Sequence, residues 1–328
     1  MTATASITPA GTGVRPRNRI LELAQSYGAA AVLLLICAIT AVFSPAFAST
    51  GNLSAIITAA CFMGLITVGQ SFVLISGGID LSVGSMVGLG TVLAAIAAPA
   101  GLLPALLAPV IAGALVGLVN GLLIGKARMA PFIVTLSALL AVKGLAVALA
   151  ASSLTIDPAS SFNTIANGSV LGINNLIWIL ILAFAAAGIV LNRTRFGSTI
   201  FALGGNEEAA KMLGVDVARV KTLVYVISGS LAGLAGALLA SRLSAGVATL
   251  GAGYELRSIA AAVIGGVLLT GGVGTMLGAL CGVLLLSVID NVINQIGTLN
   301  AYYQDSITGL FLVLAVVVQS TLTRKRRS

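Results

Sequence analysis

The chain has 328 residues, of which 58% are hydrophobic and only 8% are charged, and its mean hydropathy is +1.12. This composition excludes a water-soluble globular protein, because such a protein needs a much larger charged surface. The formal net charge is +8. In so apolar a chain we expect this charge to reflect membrane topology and contact with lipid headgroups, and we expect no nucleic-acid partner.

The first residues resemble a tail. Residues 1–27 are polar and rich in Thr, Pro and Gly, which predicts a disordered cytoplasmic tail without a domain of its own. Within this segment, Arg15, Arg17 and Arg19 precede an apolar run that ends in Ala46-Phe47-Ala48. A secretory signal with its cleavage site is therefore one interpretation. We favour a retained first span, because the first helix of a polytopic protein can itself direct insertion.

Apolar segments of about 20 residues, the length that a helix needs to cross a bilayer, recur along the chain. We predict ten spans, at 28–47, 53–75, 81–99, 102–125, 131–151, 173–192, 221–241, 256–271, 274–297 and 304–320. The runs are continuously apolar rather than alternating, which excludes a β-barrel. The predicted fold is therefore an all-α polytopic membrane protein with a transmembrane domain at 28–320 and a basic cytoplasmic tail at 321–328.

The basic residues orient these spans, because cytoplasmic loops collect Lys and Arg. With the N-terminus in the cytoplasm, all of the 17 Lys and Arg residues except Lys143, Arg242 and Arg257 fall on the cytoplasmic side. The Lys143 side chain fits either a pathway role or extension outward to the headgroups. Both termini are expected in the cytoplasm.

A faint repeat appears when residues 76–90 are aligned with residues 251–265, which places Asp80 opposite Glu255. Five predicted spans separate the copies, so the two halves are expected to be inverted, as in many transporters. Each acidic residue follows a Gly-rich break and precedes an apolar helix. Two interpretations fit: the side chains cap these helices, or they line or gate a transport pathway.

The sequence contains few residues that could bind a metal or a nucleotide or carry out redox chemistry. The chain has no His, and its three Cys residues lie in apolar spans, which predicts no metal, no disulfide and no cofactor. The sequence from Gly121 to Lys126 comes nearest to a phosphate loop, but Ala127 replaces the required Ser or Thr. Since the chain lacks a nucleotide site, we expect no enzyme activity, and any ATP must bind another chain.

A polar island from Arg193 to Lys221 interrupts the apolar runs. Asn206 can cap a short helix, in which Glu207-Glu208 would suit the macrodipole and Ala209-Ala210 would give a small surface that fits a groove. Gly214 would end it. The spacing resembles the EAA loop of ATP-binding-cassette (ABC) importer permeases, whose coupling helix docks on the ATPase. An ordinary connector between spans is the alternative.

Two further polar regions face the external side in this topology. Asp290 and Asn294 share one helix face near the outer end of a span, next to a face with Asn291 and Gln295. These groups could bind sugar hydroxyls, or they mark a helix that emerges into water. The segment 152–175 either contacts an external protein or only connects spans.

Three motifs in order identify a family. Gly77 to Gly84 (GGIDLSVG), Gly204 to Glu207 (GGNE) and Gly253 to Leu256 (GYEL) together resemble the ribose-type permease family of ABC sugar importers, over roughly residues 30–320. The resemblance implies a second permease copy or paralogue and an ATP-binding subunit with two nucleotide-binding domains that are fused or separate. It also implies an extracytoplasmic protein that delivers a monosaccharide.

We therefore expect a sugar permease subunit of the cell inner (cytoplasmic) membrane, in which Asn206, Glu207, Glu208, Ala209, Ala210 and Gly214 couple to the ATPase. Two rivals are an ion-coupled secondary transporter, which would use ionisable groups in its spans, and an ABC permease for branched-chain amino acids.

Overall fold

The computed structural model describes residues 19–296 and seven residues between 306 and 317. Its helices are α1 (Arg19–Phe43), α2 (Thr50–Ile75), α3 (Val83–Ala97), α4 (Leu102–Gly125), α5 (Pro131–Leu149), α6 (Asn163–Asn167), α7 (Asn175–Arg193), α8 (Arg195–Gly205), α9 (Glu207–Met212), α10 (Val217–Leu243), α11 (Tyr254–Ile264) and α12 (Met276–Ile296). Four short strands, β1 (Leu154–Thr155), β2 (Ser169–Val170), β3 (Ile173–Asn174) and β4 (Ala245–Gly246), form the antiparallel pairs β1–β4 and β2–β3.

Seven of the described helices are long and apolar enough to cross a membrane, namely α2, α3 with the 3₁₀ turn that follows it, α4, α5, α7, α10 and α12. This confirms the prediction of an all-α polytopic membrane protein. The first predicted span corresponds to α1, whose apolar part is a shorter helix, Gly28–Phe43. The predicted span at 304–320 lies outside the described residues, apart from the seven named above, and so does the tail at 321–328.

At its other end α1 extends into the predicted tail, since it begins at Arg19. Residues 19–27 contain Leu, Glu, Ala and Gln, which are good helix formers and can continue a helix beyond its apolar part. Residues 1–18 of the predicted tail lie outside the described part of the chain.

The helices α2, α3 and α10 form the centre of the bundle. Most of the spanning window of α2 is buried (83%), as is that of α3 and of α10 (67% each), whereas α4 and α5 are only 22% buried. Since their exposed side chains are largely Leu, Ile, Val and Phe, α4 and α5 present apolar surface that suits lipid or another membrane-embedded chain.

A line of glycines lets α4 and α10 pack backbone to backbone. A Cβ atom on Gly113, Gly117 or Gly121 would collide with the α10 backbone at Gly229, Tyr225 and Thr222. Gly125 continues the line against Ala218, and Gly278 and Gly282 make the same kind of contact between α12 and α11. Small residues at helical spacing thus allow these helices to pack closely.

Residues 245–272 run from one end of the bundle to the other, but only part of this crossing is helical. It begins at the end that carries β1, because β4 pairs with that strand. It reaches the end that carries α8 and α9, which we call the α9 end, where the Gly272 amide donates to the Ile75 carbonyl at 2.8 Å. Between these points, residues 246–253 lie along α3, with the Val247 amide donating to Thr91 Oγ1 at 2.9 Å.

The predicted span at 256–271 is therefore wrong as a continuous helix. The helix α11 has 11 residues and spans about 16 Å, roughly half of the ~30 Å hydrocarbon core. Glycines interrupt the helix on both sides, since Gly253 before it and Gly266, Gly271 and Gly272 after it have positive φ. Positive φ favours glycine and stops a right-handed helix.

Candidate functional site

The predicted coupling helix is present as α9. Asn206 is its N-cap, and its Oδ1 accepts a hydrogen bond from the Ala209 amide at 3.0 Å. Glu207 and Glu208 lie in the first turn, where a negative charge interacts favourably with the helix dipole. Gly214 has φ +84°, so it takes the left-handed conformation that ends helices and that glycine adopts without strain.

One side of residues 207–213 packs against the rest of the protein, and the other side is exposed. Ala210 is 1% exposed, whereas Met212 and Leu213 are each 84% exposed. Lys221 of α10 donates to Glu207 Oε2 at 2.8 Å and ties α9 to the bundle. Two large apolar side chains thus project from the end of a helix that is anchored to the bundle, an arrangement that suits docking on another protein.

A groove of about 750 Å³ lies beside α9, between the α4–α5 connection and the start of α10. Glu208 and Lys211 of α9 line it, with Arg128 and Met129 on the opposite wall. Arg128 has φ +53°, so a non-glycine residue there holds a left-handed conformation. The surface around α9 therefore carries both signs of charge next to apolar side chains.

Asp80 lies between the spans α2 and α3 and is fully buried. Its Oδ1 accepts from the Ser82 amide at 3.0 Å and from Ser82 Oγ at 2.6 Å, and its Oδ2 accepts from Ser228 Oγ of α10 at 2.8 Å. Burial raises the pKa of the Asp80 carboxyl, and these donors oppose the shift. The N-cap of α3 is Ser82 rather than Asp80, so Asp80 holds the entrance to α3 through an Asx-type turn.

Glu255 plays a related part at the start of α11. Its Oε1 accepts from the amide of Gly253, the N-cap residue, at 3.3 Å, so Glu255 also supports a helix entrance without being its N-cap. The carboxylate lies so close to Gly84, in the first turn of α3, that a Cβ atom there would collide with it. The two breaks that the repeat predicted therefore meet inside the protein.

Asp290 of α12 forms an ion pair with Arg257 of α11. Arg257 and Asp290 face a cavity of about 360 Å³ between α2, α11 and α12, which we call the α2–α11–α12 cavity. Its polar walls also include Asn291, Asn294 and Ser287, and its apolar walls include Phe62, Met63, Ile56, Leu286 and the ring of Tyr254. The described lining thus includes Asp290 and Asn294, two of the four predicted pathway residues.

Amide side chains pair with one another beside this cavity. Asn52 of α2 and Asn291 of α12 exchange two hydrogen bonds of 3.2 and 2.9 Å. Gln295 donates to Asn291 at 2.9 Å, as expected for residues four positions apart on a helix, and it accepts from Ser44 at 3.2 Å. These contacts join the ends of α1, α2 and α12 at the end of the bundle opposite α9.

Arg257 was not among the predicted site residues, and only its departure from the positive-inside pattern singled it out. Arg257 lies away from the cytoplasmic side, where most Lys and Arg residues are expected, and the following span contains an acidic residue. Such a combination indicates an internal ion pair. Tyr254 and Phe62 carried no such signal, because aromatic residues in apolar runs are common.

The chain matches known transport proteins over most of its length. A model of the family described as branched-chain amino acid transport system / permease component matches residues 52–316. The ribose import permease protein of Escherichia coli (strain K12) is 37% identical over 88% of this chain and 91% of its own length. The L-arabinose ABC transporter permease protein of Azospirillum brasilense is 36% identical over 99% of this chain and 95% of its own.

The galactose/methyl galactoside import permease protein of Haemophilus influenzae (strain ATCC 51907 / DSM 11121 / KW20 / Rd) is 36% identical over 95% of this chain and 98% of its own. No solved structure matches the chain significantly. The family consists of transporter components rather than enzymes. The described part of the chain has seven helices long and apolar enough to cross a membrane, and together with these relatives this shows that the chain belongs to the ribose-type permease family of ABC sugar importers.

Proposed function

We propose that this chain is the membrane-spanning subunit of an importer that moves a monosaccharide across the inner membrane while a partner subunit hydrolyses ATP. The observation that carries the proposal is α9, a capped helix whose last residue, Met212, and the C-cap residue after it, Leu213, are each 84% exposed. Adjacent exposed apolar side chains on an anchored helix suit a protein partner. An ATP-binding subunit, with fused or separate nucleotide-binding domains, is the partner that this permease family requires.

The α9 end also offers a route by which such docking could move the spans. The helix α8 ends directly before Asn206, the N-cap of α9. Its Gly204 lies so close to Ile75 of α2 and to Gly272 that a Cβ atom on Gly204 would collide with the backbone of both residues. Gly272 follows α11 and donates to the Ile75 carbonyl at 2.8 Å. A displacement of α9 would therefore act on α2 and α11 through direct backbone contacts, because packed backbones transmit strain.

We propose that the two halves are inverted repeats and that ten segments cross the membrane, counting α1, the broken α11 crossing and a segment within 304–320. The meeting of the α3 and α11 entrances at Gly84 and Glu255 supports this arrangement, since pathways often lie at the interface of such repeats. In this scheme Asp80 and Glu255 gate the pathway by holding the helix entrances together, and Asp290 and Asn294 line it.

The other partners follow from the family. A second copy or paralogue of this permease would cover apolar surface such as that of α4 and α5, and membrane lipid would cover the remainder. An extracytoplasmic sugar-binding protein would dock at the end opposite α9, where residues 152–175 and Arg242 lie. Arg242 there donates to Asn167 at 2.6 Å.

A branched-chain amino acid is the second candidate substrate, because the matching family is described by that substrate class. Ribose, L-arabinose and galactose are named for the curated relatives, and this favours a sugar. The α2–α11–α12 cavity, with its carboxylate, guanidinium and amides, also suits hydroxyl groups better than an aliphatic side chain.

The test measures uptake of radiolabelled ribose, arabinose, galactose and leucine in cells with and without this chain. We expect ATP-dependent uptake of one sugar, competition by other sugars, and co-purification of an ATPase with the tagged permease. Competition by leucine alone would favour the amino-acid alternative. Uptake that persists after deletion of the co-purifying ATPase would instead favour an ion-coupled transporter.

A further inference from the structure

We infer that the α2–α11–α12 cavity is a sugar-binding subsite within the permease itself, in which Arg257 and Asp290 hydrogen-bond to the hydroxyl groups of the sugar. The inference rests on the proposed function and goes beyond it. The family resemblance implies an external protein that delivers the sugar, whereas this subsite would give the permease a selectivity of its own.

The two charged side chains supply complementary hydrogen-bonding groups. A sugar hydroxyl both donates and accepts, an ionised carboxylate only accepts, and a guanidinium only donates. Arg257 contacts Asp290 through Nη2, while its Nε is buried and has no hydrogen-bond partner among the described residues. A neighbouring pair of hydroxyls could therefore bridge the ion pair, donating to Asp290 and accepting from Arg257.

The remaining walls fit the other parts of a sugar. Phe62, Met63 and the ring of Tyr254 provide an apolar surface for its C–H groups, and Asn294 and Ser287 add neutral polar groups. A volume of about 360 Å³ is at the lower end of the ~300–1,000 Å³ that small-molecule sites span. A monosaccharide is a small ligand, so the size agrees with the chemistry.

An ion pair that is largely removed from water is not expected to add much to the free energy of unfolding. The Arg257 and Asp290 side chains are 17% and 27% exposed, and charges removed from water lose hydration that their mutual attraction often fails to recover. Ionisable groups within a membrane bundle usually face a cavity or a partner and mark a substrate pathway. Here they face a cavity and one another.

The two charged groups of the subsite lie on different helices, so the proposed motion would change the distance between them. Arg257 is carried by α11, the half-length helix whose following loop reaches Gly272 at the α9 end. Asp290 is carried by α12, a continuous helix. A shift of α11 against α12 would therefore separate the two groups and weaken their joint hold on a hydroxyl pair, as transport requires.

Three variants test the inference: Asp290→Asn, Arg257→Gln, and the charge-reversed double variant Arg257→Asp with Asp290→Arg. Arg219→Gln is the matched control, because it also breaks an Arg–Asp ion pair, that with Asp216, but on the surface and away from the cavity. Each permease is reconstituted in vesicles with its ATPase and binding protein, and uptake of radiolabelled ribose and galactose is measured beside co-purification of the ATPase.

We expect all three cavity variants to assemble with the ATPase, to lose uptake by about tenfold or more, and to change the ratio of ribose to galactose uptake. The control should retain both uptake and ratio. Restored uptake in the charge-reversed variant, or loss of assembly in all three, would mean that the pair is only structural and overturns the inference. Absence of ATP-dependent uptake by the wild-type permease would instead contradict the proposed function.

Discussion

Gly84, the second residue of α3, lies against the carboxylate of Glu255, the second residue of α11. The two helices enter the bundle from breaks that lie far apart in sequence, and their first turns touch. Because the space between them is smaller than one methyl group, the fit at this point depends on the absence of a side chain at residue 84.

We expect Gly84→Ala to destabilise the permease. Alanine normally favours a helix over glycine, by roughly 0.5–1 kcal/mol, but here its Cβ would collide with Glu255 and lie 2.7 Å from the Gly251 carbonyl. Overpacking of this kind costs about 1–3 kcal/mol. The measurement is the thermal unfolding midpoint of the purified permease in detergent.

Gly144→Ala is the matched control, since a Cβ there meets nothing within 4 Å and should leave the midpoint unchanged or raise it. Adding Glu255→Ala to Gly84→Ala should recover part of the loss, because the carboxylate is removed while the Gly251 carbonyl stays. Equal midpoints for Gly84→Ala and the wild type would show that this contact does not exist.

A second prediction separates hydrogen bonding from charge at the two helix entrances. Asp80→Asn keeps an oxygen for the Ser82 donors and places an amide beside Ser228, whose hydroxyl can accept. Glu255→Gln likewise keeps an acceptor for the Gly253 amide. We therefore expect both variants to fold and to retain most of their sugar uptake.

Asp80→Leu should behave differently, because it leaves buried donors of Ser82 and Ser228 without an acceptor, at about 1–3 kcal/mol for each group. We expect a loss of assembled permease, seen as less protein in the membrane and a smaller monodisperse peak in detergent. Normal assembly without transport in both Asp80→Asn and Glu255→Gln would show that charge, rather than hydrogen bonding, operates the gate.

The third prediction concerns coupling through α9. Gly214→Leu forces a side chain into a left-handed conformation, at a cost of about 1 kcal/mol, although a Cβ there meets no other atom within 4 Å. The strain should redirect the end of α9, so that the variant inserts normally, retains less ATPase on co-purification and loses sugar uptake. Glu208→Lys should have a smaller effect on the helix, about 0.3–1 kcal/mol through the dipole.

Two controls separate misdirected docking from general strain. Gly214→Asn should keep coupling, because Asn tolerates the left-handed conformation. Gly172→Leu has a similar backbone cost at φ +76° in the turn between β2 and β3, also with open space around its Cβ, and it should keep the ATPase bound. If Gly214→Leu holds the ATPase and transports at the native rate, α9 is only a connector.

A fourth prediction concerns membrane topology. Because nearly all Lys and Arg residues sort to one side, both termini should be cytoplasmic and residues 160–168 external. Reporter fusions after Ser328 and within 160–168 should therefore give opposite results in an assay that distinguishes the two sides. Reporters on the same side would contradict the proposed ten-span arrangement.

The sequence predicted α9 well, because every signal involved is local. An Asn cap, two acidic residues in the first turn and a terminating Gly lie within nine positions, from Asn206 to Gly214. Capping and left-handed glycine conformations depend on immediate neighbours, so such a helix can be predicted without knowledge of its tertiary contacts.

The α11 crossing and the Arg257–Asp290 pair could not be predicted in the same way. A hydropathy window counts apolar side chains and does not detect that Gly253 and Gly266 turn the backbone out of the helix. The ion pair joins residues 33 positions apart across a loop, so no helical spacing brings them together. Both features depend on how α11 packs against its neighbours.

The incomplete helicity of the crossing at 245–272 has a consequence for biosynthesis. Non-helical backbone cannot enter lipid by itself, because its amide and carbonyl groups need partners, and the Val247 amide finds one in Thr91 of α3. That partner lies more than 150 residues earlier in the chain and is synthesised first. The segment after α10 should therefore leave the translocon only onto an existing protein surface, and its insertion should fail when α3 is deleted or replaced by an unrelated apolar helix.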